Sequence, residues 1–335
     1  MKKLRSLWLP RLSLIALIVA AHTQLQGCSM VGLGDDGRGK TLADLPAAKL
    51  PDSETKVAVV DVARIEQSYQ RALAVADEPA LRQQILVRLA DLEMSRSEKA
   101  QLDATDVRRF YDKPVAMYSE LLKQHSENSQ LASGIAADQL RYKLAKALSL
   151  DGRNDEAAQV LDQLANNNPD SGFMAETQFR RAEKSFADGD YAAAERNYAA
   201  VVNGGSPELK QNALYMRGWA QFKRGDYDLA LLSFAQVLDQ LLGSAGTPEQ
   251  VDAVLADIGP SKANLVKDTL RVMGLSLSYL DGAKSIVNLQ TELGGRRAYE
   301  YMLYQQLGQL YLEQKRYNDS AETYQHFVQH NPAEL

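Results

Sequence analysis

The sequence predicts an all-α chain in which antiparallel helix pairs stack side by side into a solenoid. Three observations carry this. Alanine, leucine, glutamine, glutamate and arginine dominate the body of the chain, and all but one-off exceptions in it favour helix. Prolines number only ten and sit at joints between periodic segments. A register of small and large residues recurs along the chain at a fixed spacing.

The chain opens with a positive head, Lys2, Lys3, Arg5 and Arg11, followed by a short apolar run at 12–21. That length suits the hydrophobic region of a signal peptide and is too short for a spanning helix. The segment ends Leu25-Gln26-Gly27-Cys28, which resembles the lipobox of bacterial lipoproteins. The resemblance implies cleavage before Cys28, a diacylglycerol on its thiol and an acyl chain (palmitate) on its amino group. Ser29 implies sorting to the outer membrane, with the protein on the periplasmic face. Cys28 is the one cysteine, so no disulfide forms within the chain, and acylation removes a thiol that export would expose to oxidation. Several acyl chains at one residue hold a bilayer where a single chain does not.

Residues 34–41, GDDGRGKT, fit the letters of a phosphate-binding loop, but the context is wrong. Two acids lie inside the motif where phosphate would sit, and Pro46 and Pro51 interrupt the helix that should follow. The run VAVVD at 57–61 mimics a strand ending in a metal-binding aspartate, yet too little chain separates it from the loop for a crossover. Residues 28–56 read instead as a tether rich in glycine, proline and small residues.

One amphipathic helix follows at 62–76, and a helix pair using Ala90 and then 111–125 comes next. Four stretches then align: 140–169, 177–202, 213–238 and 304–332. A small residue recurs at Ala145, Ala182, Gly218 and Gly308. Twelve residues on comes a second, at Ala157, Ala194, Ala230 and Ser320, and four further on a large one, at Leu161, Tyr198, Phe234 and Tyr324. Two antiparallel helices approach closely only where a side chain is nearly absent, and the large residue fills the space beside the crossing. GDY at 189–191 and 225–227 marks the turn within a pair, and Pro169 and Pro332 follow second helices.

This pattern resembles the tetratricopeptide repeat, a helix–turn–helix unit. The resemblance implies a right-handed superhelix whose first helices line a concave groove. A weaker copy lies at 266–293, with Gly274 thirty-four residues before Gly308, and the pair around Ala90 is a degenerate one with Pro114 where the family prefers alanine. Residues 239–262 depart from the repeat; glycines and prolines bracket a short helix at 248–258, which reads as either a spacer or a partner-binding flap. The expected organisation is a signal peptide at 1–27, acylated cysteine and tether at 28–56, N-terminal helices with a degenerate repeat at 57–130, three repeats at 131–238, the excursion at 239–262, and two repeats at 263–335. No capping helix follows the last pair, so either that end oligomerises or, as the favoured expectation, the native protein is longer.

Within the groove, the first-helix stripe recurs at helical spacing. It offers Tyr142 from one pair and Phe179 and Phe186 from the next. The third pair gives Tyr215, Trp219 and Phe222, and the 266–293 copy gives Arg271 and Tyr279 beside Asp268. Aromatic grooves suit peptides or amphipathic helices, where a few rigid rings supply most of the binding energy. The rings also suit simple packing between repeats, and the two readings compete at each.

The composition excludes other classes. With 38 basic and 43 acidic residues the net charge is −5, and removing the four bases of 1–27 makes it more negative still. That argues against nucleic acid as a partner. No nucleophile, base and acid cluster in a pattern that suggests catalysis. His326 and His330 share a helix face, but no third ligand joins them, so neither metal nor cofactor is expected. The whole resembles tetratricopeptide lipoproteins of the outer membrane in Gram-negative bacteria. The implied role is a non-catalytic scaffold that gathers envelope proteins or peptides, with peptidoglycan association, or service to a peptidoglycan-acting enzyme, as the alternative.

Overall fold

The computed structural model describes residues 61–103, 110–127, 136–204 and 206–331. The expected signal peptide, Cys28, the tether and the phosphate-loop-like motif lie outside the described residues.

The described residues form helices joined by short turns. The chain runs α1 (Val62–Val75), α2 (Pro79–Asp103), α3 (Asp112–Glu127), α4 (Ala137–Leu150), α5 (Asn154–Asn167), α6 (Met174–Ala187) and α7 (Tyr191–Asn203). It continues α8 (Pro207–Arg224), α9 (Tyr227–Leu242), α10 (Pro248–Asp257), α11 (Pro260–Tyr279), α12 (Ala283–Glu292), α13 (Glu300–Glu313) and α14 (Tyr317–His330). From α2 to α9 each helix packs on the one before it. After α9, the next neighbour in the stack is α11, which in turn packs on α13. The architecture is all-α, a solenoid of repeated helix pairs.

Prolines start helices. Pro207, Pro248 and Pro260 occupy the first helical turn of α8, α10 and α11, where the missing N–H costs nothing. Pro114 lies in the first turn of α3 for the same reason. Turns within pairs close on left-handed backbone: Gly152, Gly189 and Gly225 have φ of 80°, 84° and 85°. Each lies seven residues beyond its pair's small residue. In the last pair that position is Lys315, with φ 61°.

The small-against-large register is visible in the packing. A Cβ placed on Gly218 would lie 2.7 Å from Phe234 Cε1, and one on Gly308 would lie 2.5 Å from Tyr324 Cζ. Ala145 and Ala182 are buried at the same crossings. Leu161, Tyr198 and Phe234 are buried in turn, each burial worth roughly 1.5–3 kcal/mol before entropy is counted. Tyr324 is different: it stays 38% exposed. The 266–293 copy is also different. Its Gly274 meets Gln306 of α13, where a Cβ would lie 2.9 Å from Cγ, instead of a residue of its own second helix.

Residues 239–262 are largely helical. α9 runs on to Leu242, α11 begins at Pro260, and α10 lies between them. Val251 of α10 is fully buried in the same core as Phe234, Leu238 and Val266. Tyr301 donates to Asp252 Oδ1 at 2.7 Å, which fastens α10 to α13.

Polar ties join neighbouring pairs. Asp91 of α2 accepts from Tyr118 of α3 at 2.7 Å and pairs with Lys143 of α4. Glu195 of α7 accepts from Arg217 and Gln221 of α8. Asp239 of α9 accepts from Arg297 and, at 2.7 Å, from Tyr299, whose pKa burial pushes well up.

Candidate functional site: an aromatic row across α8, α9 and α11

Helix α8 presents Tyr215, Trp219 and Phe222 at spacings of four and three, so all three lie on one face. The structure brings them together with their neighbours as one connected row. Phe234 of α9, fully buried, is the base; Tyr215 and Trp219 meet it edge-on at 6.0 and 6.4 Å. Trp219 meets Phe222 at 5.7 Å, and Phe222 meets Tyr227 at 5.4 Å. Tyr227 then stacks flat on Tyr279 of α11 at 4.9 Å and 19°. Edge-to-face rings at these distances attract beyond their area alone.

Helix α11 adds charge. The Arg271 guanidinium lies 5.9 Å from the Trp219 ring centre and pairs with Asp268 at 2.7 Å. Tyr215 donates its hydroxyl to the same Asp268. Burial, reinforced by that hydrogen bond, pushes the Tyr215 phenol up to about 12. Asp268 therefore holds the α8 and α11 sides of the row in one geometry. Trp219, Tyr215 and Phe222 are half-buried, whereas Tyr279 is 61% exposed. Rings fixed from behind and open in front lose little freedom on meeting a ligand.

The other expected groove residues lie apart from this row. Tyr142 stacks on Phe173 at 4.7 Å, and burial raises its pKa. Phe186 meets Tyr191 edge-on at 5.2 Å. Phe179 departs from the expectation most: it is 8% exposed and packs against fully buried Tyr198 at 5.6 Å. It shares a buried cluster with Ala182, Ala194, Tyr198 and Val201.

Sequence reasoning treated Tyr227 as a turn residue and Phe234 as a crossing filler; both belong to the row. The signal was present. FADGDY and FKRGDY repeat a phenylalanine five residues before a tyrosine, and both pairs touch in the structure.

Two family models, both described as tetratricopeptide repeat, match the sequence, one at residues 139–171 and 212–240 and the other at 303–334. The chain carries tetratricopeptide repeats. The matched stretches coincide with α4–α5, α8–α9 and α13–α14. The repeat α6–α7 carries the same small-and-large register. No curated protein matches the sequence. Solved structures similar to this repeat protein include a tetratricopeptide repeat protein from Parabacteroides merdae, at 14% identity, covering 79% of this chain and 85% of that one, with a TM-score of 0.41. The apo form of RapI is similar at 12% identity, with 80% and 69% covered and a TM-score of 0.43. The C-terminal part of a repeat protein from Cytophaga hutchinsonii is similar at 13% identity, with 80% and 95% covered and a TM-score of 0.32.

Among the described residues no three His, Cys, Asp or Glu side chains gather in a way that could hold a metal. His326 and His330 stack at 4.1 Å, and His330 Nδ1 lies 2.8 Å from the His326 carbonyl oxygen. Among the same residues no helix is long and apolar enough to cross a membrane.

Proposed function

We propose that this repeat protein is a lipid-anchored scaffold on the periplasmic face of the outer membrane, where it binds envelope proteins or peptides through the row across α8 and α11. At its coarser level, a non-catalytic scaffold for protein–protein contacts, the reading follows from the repeat itself. The finer level is supported by the LQGC sequence ending at Cys28 and by Ser29. One observation carries the choice of site: Trp219, Phe222 and Tyr279 form a connected aromatic surface with Arg271 on one flank. Rigid rings with a fixed guanidinium suit the apolar anchors of a peptide or an amphipathic helix.

The test is partner recovery by cross-linking and mass spectrometry in intact cells. Tyr215→Ala with Trp219→Ala should lower recovery while helicity is retained. Arg271→Ala with Tyr279→Ser, both at exposed side chains, should do the same without touching the core. Unchanged recovery with both pairs would reject the row as the site. Recovery of glycan strands in place of proteins would favour the peptidoglycan reading. Cys28→Ser should leave the chain unprocessed and unanchored; normal outer-membrane fractionation would reject the anchor.

A further inference from the structure

A second concavity lies farther along the stack, where α10, α11 and α13 meet. It encloses about 530 Å³, room for one or two large side chains. Its floor is apolar: Leu255 from α10, Val266 and Leu270 from α11, and Met302 from α13. Its rim is polar and donor-rich, with Lys267, Gln305, Gln309 and the ring of Tyr324. No acidic residue lines it, although acids outnumber bases in the chain.

Three features build this cavity. The inserted helix α10 supplies one wall and is held by buried Val251 and by the bond from Tyr301 to Asp252. Gly274 lets Gln306 close in, since any side chain there would strike Gln306 Cγ. Gly308 lets the Tyr324 ring pass close over α13. Arg271, Arg297 and Arg217 each hold an acid partner, Asp268, Asp239 and Glu195. Lys267 forms no ion pair among the described residues, and it is exposed and lines the apolar pocket.

We propose that the cavity between α10, α11 and α13 is a second recognition site, which takes an apolar side chain flanked by a carboxylate on a peptide segment of the partner. The apolar side chain fills the floor above Met302 and Leu270. The carboxylate meets Lys267, and the carboxamides of Gln305 and Gln309 bind the peptide backbone on either side. The proposal rests on the reading of the chain as a peptide-binding scaffold and gives residues 239–262 a purpose: α10 makes one wall of a binding site.

The experiment uses the processed chain, which on the proposed reading begins at Cys28 and keeps Trp219 as its one tryptophan, with isotope-labelled methionine methyl groups, so that Met302 reports on the cavity and Trp219 fluorescence on the aromatic row. The probes are three capped hexapeptides that differ at one position: Gly-Gly-Leu-Glu-Gly-Gly and its Gln and Lys counterparts. The Met302 methyl signal should shift with the Glu peptide, about fivefold more weakly with the Gln peptide, and least with the Lys peptide. Lys267→Glu, an exposed change, should reverse the order. Equal binding of all three peptides, or an unmoved Met302 signal in a folded chain, would overturn the proposal. A silent Met302 with a responding Trp219 rejects the cavity and leaves the row. A responding Met302 with a silent Trp219 supports the cavity and counts against the row for these peptides.

Discussion

Replacing Gly218 by alanine tests the packing rule on which the stack rests. The added methyl would stand 2.7 Å from Phe234 Cε1 and 2.9 Å from Cδ1 and Cζ. The ring would have to retreat by roughly 0.7 Å to regain ordinary contact, in an interior packed as densely as an organic crystal. Phe234 is fully buried, with Tyr215 and Trp219 against it, so it cannot move without displacing them. Overpacking of this kind costs about 1–3 kcal/mol. Alanine in place of glycine in a helix returns about 1 kcal/mol. The expected net is a destabilisation of about 1 kcal/mol, or a fall of about 2 °C in the melting temperature. Thermal unfolding by circular dichroism would compare Gly218→Ala, Phe234→Leu and the double variant. In the double variant the methyl enters space the smaller leucine leaves, so the double should exceed the sum of the singles by about 1 kcal/mol. A Gly218→Ala chain more stable than the parent, or strict additivity, would refute the reasoning.

Lys315 occupies left-handed backbone at the position glycine holds in three other pairs. Lys315→Gly should therefore stabilise the α13–α14 pair by about 1 kcal/mol, read as slower amide exchange there; faster exchange would count against it. Burial pushes Tyr111, Tyr215 and Tyr304 up from 10.0 to about 12. The folded chain thus holds these protons more tightly, and stability present below pH 10 is lost as pH rises from about 10 to about 12. Tyrosinate absorbance should rise together with loss of helicity; ionisation of all tyrosines in a still-helical chain would contradict this. Burial, with His330 beside it, lowers His326 from its ordinary value of 6.5. Stability from this group is present above 6.5 and lost as pH falls through the lowered value, so the end of α14 should open in acid. His326→Gln should remove that dependence, and an unchanged acid profile would reject it.

The pairs were legible because their signal is local and repeated. A small residue, then another twelve on, then a large one, needs no tertiary information to be seen, and Gly218 and Phe234 meet as that register requires. Binding surfaces were less legible because the face of a first helix serves two purposes. Phe186 and Phe222 hold equivalent positions in the groove stripe and each meets the tyrosine five residues on, yet Phe222 also meets Tyr279 of the next first helix. What separates them is whether the next first helix brings an aromatic residue alongside, and sequence spacing does not report that. The role of α10 was hidden for a similar reason. Its one fully buried residue, Val251, is fixed by contacts with helices on both sides of it in the chain, so the segment reads as an interruption until those helices are placed.

The central claim is that the partner lies on the aromatic row. A photo-cross-linking residue at Tyr279, which is 61% exposed beside that row, tests it most directly. A matched probe at Leu229, 49% exposed on α9, serves as the comparison. The account predicts that, in intact cells, the Tyr279 probe captures a discrete set of envelope proteins that the Leu229 probe does not, and that Trp219→Ala abolishes the capture. The same proteins captured from both positions, or capture from Tyr279 that survives Trp219→Ala, would contradict it.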